Sequence, residues 1–242
     1  MKISEANTLN FFDGEEMKKF YESLPIVEDV QSRILEINDP VAIMTHDDSF
    51  EQEFEDFEQK NGFTSTTFVL HDKISRECRS SKGDIQFHYN KEYALPLREQ
   101  IKEFVKKTGK SPKINRNHRL WWRESHLDLA HLAMNKIEVD STLVGIKPFR
   151  LVAEQRLLPI WEVPFCITDH GAVTVENSAS CAHNLAKDVK TLFEKNITPI
   201  VALFHPYLKE KSRWKDFFLL AERHKYKIMN MSEFKDKYLK IK

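Results

Sequence analysis

Acidic and histidine side chains recur at the ends of predicted strands in this chain of 242 residues. The stretch Val41–Asp48 runs from four apolar residues into a threonine, a histidine and the adjacent pair Asp47 and Asp48. Three later predicted strands end in a histidine: His88, His118 and His205. An Asp/His/His set leaves an open coordination position, as in catalytic zinc sites, and a neighbouring carboxylate can act as a general base. The pattern therefore predicts metal-assisted hydrolysis.

The elements between these residues indicate how they are brought together. Helical patterns such as Phe50–Gln59 and Leu97–Lys107 alternate with the predicted strands, which is typical of a parallel sheet or barrel. The carboxyl ends of parallel strands meet at one face of such a fold. We therefore expect the four strand-end groups to converge on one site.

The domain organisation is predicted to be simple. The chain has the length of one barrel, and no internal repeat or low-complexity linker divides it, so we predict one α/β domain over residues 1–242. Apolar residues recur at helical spacing in Asn10–Leu24 and in Val27–Ile37. Residues 1–40 are therefore predicted to be a helical extension packed on the barrel.

Three predictions concern the second half of the chain. The apolar run in Leu158–Ile167 predicts one continuous strand. Ser178–Glu194 is predicted to be helical, and Ser232 is predicted to be the N-cap of the last helix.

Composition excludes several classes of function. The chain has 37 basic and 37 acidic residues, so its balanced charge argues against a nucleic-acid partner. It has no apolar run long enough to span a membrane and no apolar region of a secretory signal, from which we predict a cytoplasmic protein. Its cysteines are widely spaced, at Cys78, Cys166 and Cys181, and indicate neither a disulfide framework nor a cysteine metal site.

The strand-end motifs resemble those of the polysaccharide deacetylases, the NodB-homology proteins of carbohydrate esterase family 4. Thr45–Asp48 is similar to the opening T-x-D-D motif, and Asn61–Val69 resembles the stretch in which a G-x-x-A-T-F-F strand follows the first helix. Asp84–Asn90 is similar to the second motif. Val201–Pro206 resembles the late strand that carries the leaving-group acid. The resemblance runs in the same order from about Val41 to Pro206.

This resemblance implies a fold, an activity and a cofactor. The implied fold is a distorted (β/α) barrel with about seven parallel strands. The implied activity is the metal-dependent removal of an acetyl group from an N-acetylated saccharide or sugar precursor. A divalent metal, expected to be zinc, would polarise the acyl oxygen and the attacking water.

The resemblance also implies roles for individual residues. Asp47 matches the general base and Asp48 a metal ligand. His88 matches the first histidine of the metal motif, and His205 matches the histidine that protonates the departing amine. Asp169 is interpreted as part of an Asp-His-Gly turn, although it is an alternative match to the aspartate that tunes this histidine.

The third metal ligand departs from the family pattern. The second motif is usually H-S/T-x-x-H, but the residue four positions after His88 is Glu92. Glu92 could ligate in place of the missing histidine, since carboxylate oxygen also suits zinc. We expect His118 instead, because it ends a predicted strand whereas Glu92 lies on a connection.

The third family motif, R-x-P-x-G, is also absent. Arg116 or Arg119 could supply the arginine that orients the base carboxylate, and we expect Arg116 to contribute to substrate binding. Trp121 and Trp122 are candidates for a sugar-stacking platform at the mouth of the site, with packing in the barrel core as the alternative. We assign Trp121 to substrate binding.

Two other functions are compatible with these departures. A catalytically inactive carbohydrate-binding protein of the same fold would explain the missing second histidine and the missing third motif. A metal-dependent amidase or imidase would act on a non-sugar amide. The segment from Arg116 to His118 is similar to divergent deacetylase-like proteins of bacterial surface-polysaccharide clusters, which leaves the substrate open.

Overall fold

Strands and helices alternate along the chain in a computed structural model, which describes residues 14–27, 33–48, 50–120, 125–153, 155–169, 171–172, 185–206 and 212–239. The strands of these ranges are β1 Val41–Asp48, β2 Thr66–Val69, β3 Asp84–Tyr89, β4 Ile114–Asn117, β5 Val139–Asp140, β6 Phe149–Ala153, β7 Arg156–Glu162, β8 Ile167–Thr168, β9 Gly171–Ala172, β10 Ile200–Phe204 and β11 Lys227–Met229. The helices are α1 Gly14–Ser23, α2 Gln52–Lys60, α3 Arg76–Ser80, α4 Leu97–Thr108, α5 Ser125–Met134, α6 Leu185–Glu194, α7 Ser212–Arg223 and α8 Met231–Tyr238.

The strands form one sheet in the order β6-β7-β5-β4-β3-β2-β1-β10-β8-β9. Neighbours from β7 to β8 along this path are parallel, whereas β6 and β9 are antiparallel to their partners. Strand β11 pairs with the first half of β1, and β2 pairs with its second half. The predicted α/β fold with parallel strands is confirmed, and in the described ranges the path of paired strands does not close into a ring.

Strand β1 lies at the centre of this arrangement. Its apolar half is fully buried, and alternate side chains enter two different cores. Ala42 and Met44 pack with the aromatic residues of α2 and α7, whereas Val41 and Ile43 pack with Phe68 inside the sheet. The residues that follow in β1, Thr45–Asp48, are therefore also buried, at the carboxyl end of the sheet.

The N-terminal region differs in part from the predicted helical extension. Helix α1 is present, but Ile34 forms an antiparallel bridge with Phe149, so the end of the predicted Val27–Ile37 helix is extended. Leu35 also donates its backbone N–H to the carbonyl of Pro148. This segment is extended because it hydrogen-bonds next to β6, which overrides its helical spacing. Residues 1–13 and 28–32 lie outside the described ranges.

Two other local predictions are wrong. The predicted strand Leu158–Ile167 is divided into β7 and β8, with Pro164, which cannot donate a backbone hydrogen bond, between them. The N-cap of α8 is Asn230, which forms a capping box with Glu233, and not Ser232. The described part of the predicted Ser178–Glu194 helix is α6, and residues 178–184 are outside the described ranges.

Cys78 and Cys166 are buried and free, and Cys181 lies outside the described ranges. Burial raises the pKa of Cys78 to about 11 and that of Cys166 to about 12, so both thiols are poor nucleophiles. Among the described helices, none has the length and apolar character needed to cross a membrane.

Candidate metal centre and active site

Three of the predicted site residues converge at the carboxyl end of the sheet. The ligand atoms of Asp48, His88 and His118 all lie within 4.8 Å of one another. Asp48 Oδ1 is 3.3 Å from His88 Nε2 and 3.4 Å from His118 Nε2. Asp48 and His88 are buried, whereas the side chain of His118 is 18% exposed and gives the group access to solvent.

The backbone around this group adopts uncommon conformations. Asp48 has a φ of 74°, and Arg119 and Leu120, which follow His118 in a short 3₁₀ turn, have φ values of 55° and 54°. Positive φ costs free energy for residues other than glycine, and such positions concentrate at functional sites. At Asp48 it also breaks the strand alternation, so that the carboxylate meets His88 of β3 and His118, the residue after β4, and does not point towards α2 as His46 does.

The hydrogen bonds of His88 fix which ring nitrogen can bind a metal. His88 Nδ1 lies 2.8 Å from the backbone carbonyl oxygen of Arg116, which can only accept, so Nδ1 carries the proton. In the neutral ring, Nε2 then presents a lone pair towards Asp48 Oδ1, a buried atom that has no hydrogen-bond partner among the described residues. Two facing lone pairs repel unless a cation or a proton lies between them. The donor set thus fits a divalent metal.

The protonation states of this group also suit a metal. Burial opposes ionisation of Asp48, but the neighbouring histidines, His88 first and then His118 and His205, outweigh it and lower the pKa of Asp48 to about 2. Burial and the charge of His88 lower the pKa of His118, although Asp48 opposes this shift. An ionised carboxylate and a neutral imidazole are the forms that bind a metal.

Glu92 lies outside the group of ligand atoms. Its Oε2 is 3.9 Å from His118 Nδ1, the nitrogen that faces away from Asp48, and its Oε1 is 2.8 Å from Arg119 Nη1. The geometry therefore favours His118 over Glu92 as the third ligand.

The second component of the site is the ion pair of Asp47, in β1, and Arg116, in β4. Arg116 Nη1 donates to Asp47 Oδ1 at 2.8 Å and to Thr45 Oγ1 at 2.6 Å. The Arg116 Nε and Nη2 groups donate to the carbonyl and hydroxyl oxygens of Ser141, both at 2.7 Å. The guanidinium also lies 4.4 Å from the centre of the Phe68 ring. Asp47 is thus held in one orientation.

This placement bears on the predicted role of Arg116 in substrate binding. Arg116 has no exposed surface, so in this structure it acts on Asp47 and not on a molecule at the mouth of the site. The alternative orienting residue, Arg119, is 62% exposed and pairs with Glu92. The role of Arg116 that the geometry supports is the orientation of the base carboxylate.

The third component of the site is the pair of His205 and Asp169. His205 Nδ1 is 2.6 Å from Asp169 Oδ2, and the His205 backbone N–H donates to both carboxylate oxygens at 3.1 Å. Burial opposes protonation, but the Asp169 hydrogen bond and the charges of Asp47, Asp169 and Asp48 raise the pKa of His205. Asp169 is therefore a partner of His205, the alternative that its match to the family aspartate indicated, and not only a turn residue.

His46, the histidine that precedes Asp47 in β1, lies apart from the three components of the site. His46 stacks on Phe54 with ring centres 4.6 Å apart, and its Nε2 is 3.1 Å from Glu58 Oε1. It is thus buried against α2, on the side of β1 opposite to Asp47. Trp121 and Trp122 lie outside the described residues.

The chain was compared with known proteins by sequence and by structure. No sequence model of a protein family matches the chain, and no curated protein matches it by sequence. A Mycobacterium smegmatis protein assigned as a polysaccharide deacetylase aligns with a TM-score of 0.59 at 16% identity, over 89% of this chain and 95% of that one. A peptidoglycan N-acetylglucosamine deacetylase aligns with a TM-score of 0.54 at 13% identity, over 84% and 94% of the two chains.

A third similar structure is a CE4 family pseudoenzyme from Bacillus anthracis, with a TM-score of 0.54 at 9% identity over 83% of this chain and 67% of that one. Taken together, these alignments show that the chain has the polysaccharide deacetylase fold. This fold is thus shared by a deacetylase and by a pseudoenzyme.

The choice of the third ligand leads to a test by metal binding. Purified wild-type protein is expected to bind about one divalent ion, and His118→Ala is expected to weaken zinc affinity more than about 100-fold, because it removes a ligand from a three-residue set. Glu92→Ala should change the affinity by less than about tenfold, since its carboxylate lies behind His118. Isothermal titration with zinc measures both. A larger loss in Glu92→Ala than in His118→Ala would move the third ligand to Glu92.

Proposed function

We propose that this chain is a divergent polysaccharide deacetylase, a hydrolase that removes an acetyl group from an N-acetylated sugar or a related amide. The observation that carries the proposal is the convergence of three metal-competent atoms, from Asp48, His88 and His118, beside the oriented carboxylate of Asp47. This convergence occurs at the carboxyl ends of strands in the deacetylase fold, where parallel sheets place their active sites.

The metal would be held by Asp48, His88 and His118. This set leaves open coordination positions for substrate and water, as catalytic sites require. A divalent ion at this site, for which we propose zinc, would polarise the acyl oxygen of the substrate and the attacking water.

Asp47 would act as the general base. Its carboxylate would take a proton from the attacking water as the new carbon–oxygen bond forms. The hydrogen bond from Arg116 holds Asp47 Oδ1, and the same guanidinium nitrogen bonds Thr45, so the carboxylate does not have to reorient during the reaction.

His205 would act as the general acid. Asp169 accepts a hydrogen bond from Nδ1, which leaves Nε2 to donate a proton to the leaving nitrogen as the carbon–nitrogen bond breaks. The raised pKa of His205 favours the protonated form that this step needs. One proton thus leaves the water for Asp47 and another reaches the amine from His205, and acetate and a free amine are the products.

The substrate is proposed from the similar structures and from the sequence. Those structures include a peptidoglycan N-acetylglucosamine deacetylase, which supports an N-acetylated saccharide. We retain the prediction of a cytoplasmic protein that acts on a sugar precursor, and a non-sugar amide is the alternative substrate. Trp121 remains a predicted sugar-binding residue.

A second candidate function is carbohydrate binding without catalysis. It is favoured by one observation, the structural similarity to a CE4 family pseudoenzyme. The two candidates differ in acetate release from N-acetylated oligosaccharides by the zinc-loaded protein. Binding of the sugar without acetate release would support the second candidate.

Replacement of the proposed base tests the catalytic role directly. Asp47→Asn should lower kcat by about 100-fold to 10,000-fold, because it removes general-base catalysis, while the zinc content stays at the wild-type level. Asp56→Asn, on the exposed surface of α2, is the matched control and should leave both unchanged. Acetate release and elemental analysis are the measurements. Near-normal turnover by Asp47→Asn would show that Asp47 is not the base.

The pair of His205 and Asp169 predicts a change in pH dependence. Because Asp169 raises the pKa of His205, the acid form persists to higher pH in the wild type and is lost as pH rises through this pKa. In Asp169→Asn the alkaline limb of the kcat profile should therefore move to lower pH. Asp216→Asn, on the exposed face of α7, should leave the limb in place. An unmoved limb in Asp169→Asn would contradict the assigned acid.

A further inference from the structure

Two acidic side chains lie next to each other beneath the site, outside the groups described so far. Asp140 ends β5 and Glu162 ends β7, and the two residues are direct neighbours in the register of these parallel strands. Register partners project to the same side of a sheet. Both have zero solvent exposure, so two carboxyl groups share one dry region of the interior.

The hydrogen-bond donors around this pair are too few for two carboxylates. Asp140 accepts from Asn115 Nδ2 at 2.7 Å and from the backbone N–H of Thr142 at 3.1 Å. Glu162 Oε1 accepts from the backbone N–H of Leu143 at 2.9 Å. Glu162 Oε2 is buried and has no donor among the described residues. A proton on Oε2 would make it a donor to Asp140, and the unsatisfied atom would then have a partner.

The charges around the pair also favour a proton on Glu162. Burial and the charge of Asp140 raise the pKa of Glu162 well above its usual range. The charge of Arg116 opposes this shift, but the guanidinium donates its hydrogen bonds to Thr45, Asp47 and Ser141. Burial also raises the pKa of Asp140, although its hydrogen bonds oppose this shift. Asp140 has two donors and Glu162 one, so the negative charge is better satisfied on Asp140.

The pair is connected to β4, the strand that carries Arg116 and leads into His118. Asn115 Nδ2, which donates to Asp140, also donates to Asn117 Oδ1 at 3.0 Å. Ser141, the residue after Asp140, supplies the carbonyl and hydroxyl oxygens that hold Arg116. Hydrogen bonds from Asn115 and Arg116 of β4 to Asp140 and Ser141 thus join the ends of β4 and β5.

We propose that Asp140 and Glu162 share a single proton, held on Glu162, and that this pair positions β4 so that the charge of Arg116 remains directed at Asp47. Asp140 and Glu162 are positioning residues, because neither reaches the mouth of the site. A neutral Glu162 leaves one fewer negative charge to compete with Asp47 for Arg116. The positioning role rests on the proposed function, whereas the shared proton does not.

Infrared spectroscopy tests the shared proton without any substrate. Glu162→Gln is nearly isosteric, and its amide N–H can replace the proposed O–H donor to Asp140. The difference spectrum of the wild type minus Glu162→Gln at neutral pH should contain the carbonyl band of a neutral carboxylic acid.

Glu138→Gln is the control, since Glu138 is an ion-paired carboxylate two residues before Asp140. Its difference spectrum should contain a carboxylate band instead. Absence of the neutral-acid band in the Glu162→Gln comparison would overturn the proposal.

Kinetics of two variants test the positioning role. Glu162→Gln should retain the wild-type kcat, because it keeps the donor. In the wild type, the Asp140 carboxylate accepts from Asn115 and from the backbone N–H of Thr142. Asp140→Asn replaces one of these acceptor oxygens by an NH₂ group, which cannot accept. This variant should therefore lower kcat by about tenfold or more with little change in KM. Equal kcat values in the two variants would overturn the positioning role. If the wild type releases no acetate, the proposed function fails, while the infrared result still decides where the proton lies.

Discussion

The buried guanidinium of Arg116 is the constraint on which the rest of the site depends. A charge with no exposure must be compensated inside the protein, and here Asp47, Thr45 and Ser141 surround it. These partners belong to the ends of β1 and of β5, so the ion pair aligns three strands. The backbone carbonyl of Arg116 also fixes the tautomer of His88. One residue of β4 therefore orients both the proposed base and a proposed ligand.

The same strand end leads into the third ligand. His118 follows Arg116 by two residues, at a turn where the next two residues have positive φ. This turn lets His118, the residue after β4, reach Asp48, whose own positive φ directs its carboxylate to the same place. The chain thus assembles an Asp/His/His group from β1, β3 and the turn after β4, although it lacks the paired histidines of the second family motif. Backbone strain at this group is consistent with a geometry that function requires.

Much of this could be predicted from sequence, for identifiable reasons. The apolar run before Asp47 and Asp48 indicates a strand buried on both sides, and the alternation of helices and strands indicates where its end would lie. The contact of Asp169 with His205 depends on the pairing of β8 with β10, and this pairing of distant segments cannot be predicted from local sequence. The buried location of Arg116 and the neighbouring acids of β5 and β7 likewise follow from sheet register. Local spacing also misassigned Ile34, because tertiary pairing overrides helical periodicity.

Asp48, His88 and His118 are proposed to form one metal site. Anomalous diffraction from crystals grown with zinc tests this assignment, because it locates the ion independently of activity. We expect one strong peak, about 2.0–2.2 Å from an oxygen of Asp48 and from Nε2 of both histidines. A peak coordinated by Glu92 in place of His118, or no peak at this group in zinc-grown crystals, would contradict it.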